Sequence, residues 1–145
     1  MKDFEFIHVG LTVSNIAKAV EFYKKLGFEL EFQMTFPAEF IASVPQLYRQ
    51  EAGVYSDAAF LKSPNGVELE LFRFSSNRPA KPADWNQPGF HHICLKVNSV
   101  PETYQKLLAQ GVEFFFEPGL KGDPKDNRYW IFMKDPDGNM IELQD

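Results

Sequence analysis

GFHHICLKV, residues 89–97, sets two histidines side by side in a stretch whose alternation reads as a β-strand. Successive side chains of a strand point to opposite faces, so His91 and His92 are expected on different sides. An earlier stretch, FIHVGLTV at residues 6–13, decides which of them matters. A shift of 84 positions places His8 on His92, Leu11 on Leu95 and Val13 on Val97. The register continues, with Ile16 on Val100, Val20 on Tyr104, Tyr23 on Leu107 and Gly27 on Gly111. The chain is written twice.

Apolar residues at i, i+4 and i+7 predict an amphipathic helix after each of these strands. Asn15 and Ser99 stand where an N-cap is wanted, and Gly27 and Gly111 where a helix ends on a left-handed residue. The strands FELEF and VEFFF follow them. Further on, PNGVELELF (64–72) matches PDGNMIELQ (136–144) at a shift of 72. Asn-Gly and Asp-Gly are strong hairpin signals, and each follows a candidate strand, AAFLK or YWIFM. The two shifts differ because the first half holds twelve extra residues between Gln33 and Ser63. Phe40, Ile41, Val44, Leu47 and Tyr48 give that insertion helical spacing, and Pro45 limits the helix. The expected fold is α+β, one domain of two tandem βαβββ modules. Module one covers about 4–74, a linker rich in Pro, Asn and Ser covers 75–89, and module two covers about 90–145.

Alternation assigns the faces. Ile7, Val9, Leu11 and Val13 form one side of the first strand, and Ile93, Leu95 and Val97 continue it in the second copy. Val67, Leu69 and Leu71, with Ile141 and Leu143, belong to the same apolar layer, expected to pack under the helices. The opposite faces carry His8, Glu70, His92 and Glu142 at equivalent positions of the two copies. His91 takes the place of Ile7, on the apolar side, so His92 is the functional histidine. Two imidazoles and two carboxylates suit a divalent ion of intermediate softness, namely Ni, Co, Zn, Mn or Fe. Thr12, Phe72, Cys94, Lys96, Met140 and Gln144 share the ligand face as lining, with Cys94 read as a buried small hydrophobe. The polar loop 117–128 reads first as a solvated surface loop, with a lid that supplies Lys121 or Arg128 to an anionic substrate as the alternative.

Composition narrows the function classes. The 145 residues carry a net charge of −5, with no basic run, which argues against nucleic acid and anionic membranes as partners. Fifteen phenylalanines point to an aromatic core or an apolar pocket. One cysteine excludes an internal disulfide. Neither a secretion signal nor a membrane-length apolar run is visible, so a cytoplasmic protein is expected.

The stretches IHVGLTV, AVEFYKKLGFEL, VELELF, GFHHICLKV and FMKDPDGNMIEL resemble the vicinal oxygen chelate superfamily. That group includes glyoxalase I, methylmalonyl-CoA epimerase, extradiol dioxygenases and the bleomycin- and fosfomycin-resistance proteins. The resemblance implies paired βαβββ modules whose sheet curls around a metal cleft, usually in a homodimer. It implies His8, Glu70, His92 and Glu142 as ligands of one divalent ion, with no organic cofactor. The complete His-Glu-His-Glu set is similar to the glyoxalase and epimerase side of the superfamily. The implied activity is that of a lyase or isomerase that removes a proton next to a metal-chelated carbonyl of a small hydroxycarbonyl or thioester. Glu142 is the expected base, with Glu70 returning the proton. The alternatives are an Fe(II) extradiol-type dioxygenase and a non-catalytic drug-binding resistance protein. Thr12 and Phe74 stand where bacterial glyoxalase I carries an Arg and an Asn that grip glutathione, which weighs against that thiol.

Overall fold

The computed structural model describes residues 3–81, 83–116, 121–123 and 128–145. The chain divides into two compact units, Met1–Pro79 and Ala80–Asp145.

The first unit runs β1 (His8–Thr12), α1 (Ile16–Lys25), β2 (Glu29–Phe36), α2 (Ala38–Ser43), α3 (Pro45–Tyr48), β3 (Ser56–Lys62) and β4 (Glu68–Phe74). Its sheet has the order β1-β4-β3-β2, with β1 parallel to β4 and the remaining pairs antiparallel. Asn15 caps α1 by accepting from the Lys18 N–H at 2.9 Å. Gly27 follows the helix at φ +90°, a conformation that costs glycine little. Ala19, Val20, Phe22 and Tyr23 form the buried side of α1, which packs on β3 and β4. Leu61, Leu69 and Leu71 close the core below, as alternation requires. The first strand departs from expectation at its start. Ile7 precedes β1 and is exposed, because the strand begins only at His8. The insertion forms two short helices instead of one, broken at Val44 because Pro45 starts α3 at its first turn.

The second unit runs β5 (His92–Lys96), α4 (Val100–Ala109), β6 (Glu113–Phe114), β7 (Lys121–Asp123), β8 (Arg128–Lys134) and β9 (Met140–Gln144). Its sheet order, β5-β9-β8-β6, repeats the first, again with one parallel pair, and β7 adds to β8. Val100, Tyr104 and Leu107 are the buried residues of α4, which lies on β8, with Ile131, Met133, Ile141 and Leu143 in the core. Ser99 caps the helix through the Glu102 N–H, and Asp145 accepts from the Val100 N–H at 2.9 Å.

The two hairpin turns set the register on which the ligand face depends. Ser63 Oγ accepts from the Val67 N–H at 3.0 Å, and the buried Asp135 accepts from the Asp137 and Asn139 N–H groups at 2.9 and 2.8 Å. Gly66 and Gly138 take positive φ beyond them. Each turn thus ends its loop on a side-chain anchor. A one-residue slip would carry Glu70 or Glu142 to the wrong face.

Candidate metal site

In the first unit β1 lies in register with β4, so that His8 pairs with Glu68 and Gly10 with Glu70. These residues share a face. His8 Nδ1 stands 3.6 Å from Glu70 Oε1. Ligand atoms of His8, Glu68 and Glu70 all lie within 4.8 Å of one another, making the three a candidate metal site. An imidazole beside carboxylates is a donor set for a divalent ion of intermediate softness. His8 is exposed and the two glutamates half-buried, so the group is open on one side. Glu68 is absent from the expected ligands, although its i, i+2 spacing to Glu70 already placed it on that face. Lys62 Nζ sits 3.8 Å from Glu68 and 3.4 Å from Glu31. Glu68 therefore already has a cation beside it, and its counterpart in the second unit is Met140. The repeated element is His8 with Glu70.

The second unit holds the matching pair. His92 pairs in register with Met140, and Cys94 with Glu142. His92 Nε2 stands 3.2 Å from Glu142 Oε2, and both side chains are largely covered. Gln144 Nε2 donates to Glu142 Oε1 at 2.8 Å, which fixes the carboxylate's rotation. Cys94 was expected as a buried hydrophobe but belongs to an exposed residue position. Its thiol is nonetheless pushed up to about 11, first by partial burial, then by the charge of Glu142 and a hydrogen bond to it. It is a protonated donor toward Glu142.

His91 corrects the strand argument. It lies outside β5, which begins at His92, so the alternation that would have turned the two rings apart does not reach it. Gly89, at φ +153°, brings the chain in through a conformation that side-chain-bearing residues rarely adopt. The two imidazoles lie side by side, with His91 Nδ1 2.7 Å from His92 Nδ1. Trp85 covers both, its ring 4.0 Å from His91 and 5.3 Å from His92.

The rest of the ligand face differs between the units. In the first it is aromatic. Phe60 is the register partner of Glu70 on β3 and stacks on Phe32 at 4.4 Å, with Phe72 edge-on to Phe60. Phe36 contacts Phe72 and Phe40, Phe40 contacts Tyr48, and Tyr48 contacts Phe74. The insertion's rings therefore extend this wall along the sheet. Thr12 stands at the end of β1 on the same side, exposed. In the second unit Lys96 and Gln144 are exposed at the strand ends and Met140 is buried. Of the loop 117–128, residues 117–120 and 124–127 and the side chain of Lys121 lie outside the described residues; Arg128 opens β8, exposed.

Residues 5–143 match the family described as the Glyoxalase/Bleomycin resistance protein/Dioxygenase superfamily. An uncharacterized Escherichia coli protein, YaeR, is 23% identical over 137 residues, covering 94% of this chain and 92% of its own. A glyoxalase family protein from Enterococcus faecalis has the same fold with a TM-score of 0.74 and 30% identity, each chain covered in full. Another from Bacillus cereus reaches a TM-score of 0.79 at 20% identity, covering 99% of this chain and 97% of its own, a likeness of fold alone. Two mixed sheets of repeated βαβββ order, together with a family match over nearly the whole sequence, lead to one conclusion: the chain belongs to the Glyoxalase/Bleomycin resistance protein/Dioxygenase superfamily.

Proposed function

We propose that this protein is a metal-dependent lyase or isomerase of glyoxalase I-like type, acting on a small hydroxycarbonyl or thioester. The observation that carries this reading is the repeated pairing of an imidazole with a carboxylate: His8 with Glu70 and His92 with Glu142, on equivalent strands of the two units. We assign the four as ligands for a divalent ion, Ni, Co, Zn, Mn or Fe. A divalent ion held there would supply Lewis acidity to a substrate carbonyl and make the adjacent C–H more acidic. Glu142 takes that proton. Its Oε1 is held by Gln144 while Oε2 faces His92, so the carboxylate is preorganised without being locked by a cationic side chain. Glu70 passes a proton taken from water to the opposite side of the carbon, and Glu142 gives its own up to water. A positioned base of this kind contributes about 10²–10⁴-fold in rate. The Phe60, Phe32 and Phe72 rings beside Glu70 take up the unreactive apolar part of the substrate. The same reading carries a homodimer, which sedimentation equilibrium measures.

That aromatic wall also favours a second reading, an Fe(II) dioxygenase of an aromatic vicinal diol, recognised by O2 uptake with a catechol. Elemental analysis by mass spectrometry, on the wild type and on His92→Ala, tests the main proposal. A bound ion that is lost in the variant supports the reading of His92 as a ligand. No metal in either protein after incubation with each ion overturns the catalytic reading and leaves a ligand-binding protein. Deuterium wash-in next to the carbonyl of 2-hydroxyketones and α-branched thioesters, followed by NMR, then tests Glu142→Gln. The variant should lose exchange while keeping its circular dichroism.

A further inference from the structure

We propose that His91 is a positioning residue for His92, fixing which ring nitrogen of His92 carries its proton, and that Trp85 holds the two rings in that arrangement. The proposal rests on the reading of His92 as a metal ligand.

The geometry leaves few choices. His92 Nε2 is the nitrogen beside Glu142, at 3.2 Å, and is therefore the one a metal bound with Glu142 would take. A neutral imidazole that coordinates through Nε2 has its only proton on Nδ1. That Nδ1 lies 2.7 Å from His91 Nδ1, a distance at which one ring must donate and the other accept. His92 therefore donates, and His91 accepts with its own proton on Nε2. No net charge is gained or lost, and Nε2 of His92 keeps its lone pair for the ion.

The rings are also prevented from turning. Trp85 lies across both, 4.0 Å from His91 and 5.3 Å from His92, at shallow interplanar angles. Phe132 meets His92 edge-on at 5.1 Å and Trp85 at 5.8 Å. Rotation of His92 about its outer torsion would exchange Nδ1 for a carbon and break its bond to His91. Module one has no such arrangement, because Ile7 occupies the position of His91 and offers no acceptor. His8 faces its glutamate through Nδ1 instead of Nε2. The two halves of the repeat thus orient their histidines by different means.

Zinc binding tests this with the intact chain. Zinc affinity, measured by chelator competition, should fall about 10–100-fold in His91→Ala, the usual cost of losing an outer partner of a ligating histidine. His91→Asn, whose Oδ1 can accept in place of Nδ1, should recover most of that loss. Nitrogen-15 NMR of the zinc-loaded wild type should place the His92 proton on Nδ1 and the metal on Nε2. Zinc binding lost in His92→Ala but unchanged in His91→Ala overturns the positioning role alone, as does coordination through Nδ1. Binding that survives in His92→Ala, or is absent from the wild type, overturns the metal reading and this proposal with it.

Discussion

Glu142 stands 3.2 Å from His92, and in the other half of the repeat Glu70 stands 3.6 Å from His8. In each case the glutamate lies two residues beyond the histidine's register partner, on the neighbouring parallel strand. Two local rules produce this diagonal. Side chains two apart on a strand share a face, and a hairpin anchored by Ser63 or Asp135 sets the last strand's register.

Glu68 and Glu70 both reach His8, and they should differ as ligands. Lys62 lies 3.8 Å from Glu68, so a divalent ion drawn to Glu68 meets a cation already in place. Glu70→Gln should weaken zinc binding by more than the roughly 10–100-fold cost of losing an outer partner. Glu68→Gln should change it little. Calorimetric titration of both variants checks the order, and the reverse order would transfer the ligand role to Glu68.

Cys94 should be a slow nucleophile in metal-free protein. With its thiol pushed up to about 11, roughly a thousandth is thiolate at pH 8, against about a quarter for a free cysteine. By thiolate fraction alone, iodoacetamide should therefore modify it about 250 times more slowly than a free thiol. Glu142→Gln removes a charge and speeds the reaction, but burial, the largest cause, remains. The variant should still lag behind a free thiol, as mass spectrometry of the alkylated protein would record.

Asp145 ties α4 to β8 by accepting from Val100 and Tyr129 N–H groups, and these bonds lower its pKa below the usual carboxylate value. A pKa lower in the folded than in the unfolded state gives stability that is present above the unfolded value and lost as pH falls through the folded one. Asp145→Asn should thus reduce stability at pH 7 and shrink the difference between pH 7 and pH 3. Urea midpoints of both proteins at the two pH values decide the matter; an unchanged difference would contradict it.

Asp135 is buried in its turn, accepting from Asp137 and Asn139 N–H groups and from the Asn139 side chain. Asp135→Ala leaves those donors without a partner and should cost about 1–3 kcal/mol in denaturant unfolding. Asp135→Asn keeps an acceptor and should cost less. If the alanine variant is also short of zinc, the turn's control of the position of Glu142 is felt at the site.

Much of this protein was legible in its sequence because the signals were local and stated twice. Asn15 and Ser99 marked helix starts, Gly27 and Gly111 helix ends, and Asn65-Gly66 and Asp137-Gly138 the hairpins. Strand alternation separated Leu69 and Leu71 from Glu70, and Ile141 and Leu143 from Glu142, because the period of two is a property of the backbone. What depended on approach between distant residues was decided only by the tertiary structure. Alternation could not reveal that β5 starts at His92, and so the sequence turned His91 away from a ring it touches. It could not reveal that Lys62, across two hairpin strands, reaches Glu68 and not Glu70. Nor could it reveal that the thiol of Cys94, at an exposed residue position, is kept protonated first by partial burial and then by the carboxylate beside it. A face follows from covalent geometry, whereas a contact depends on where strands begin, how far side chains reach and what already occupies the space.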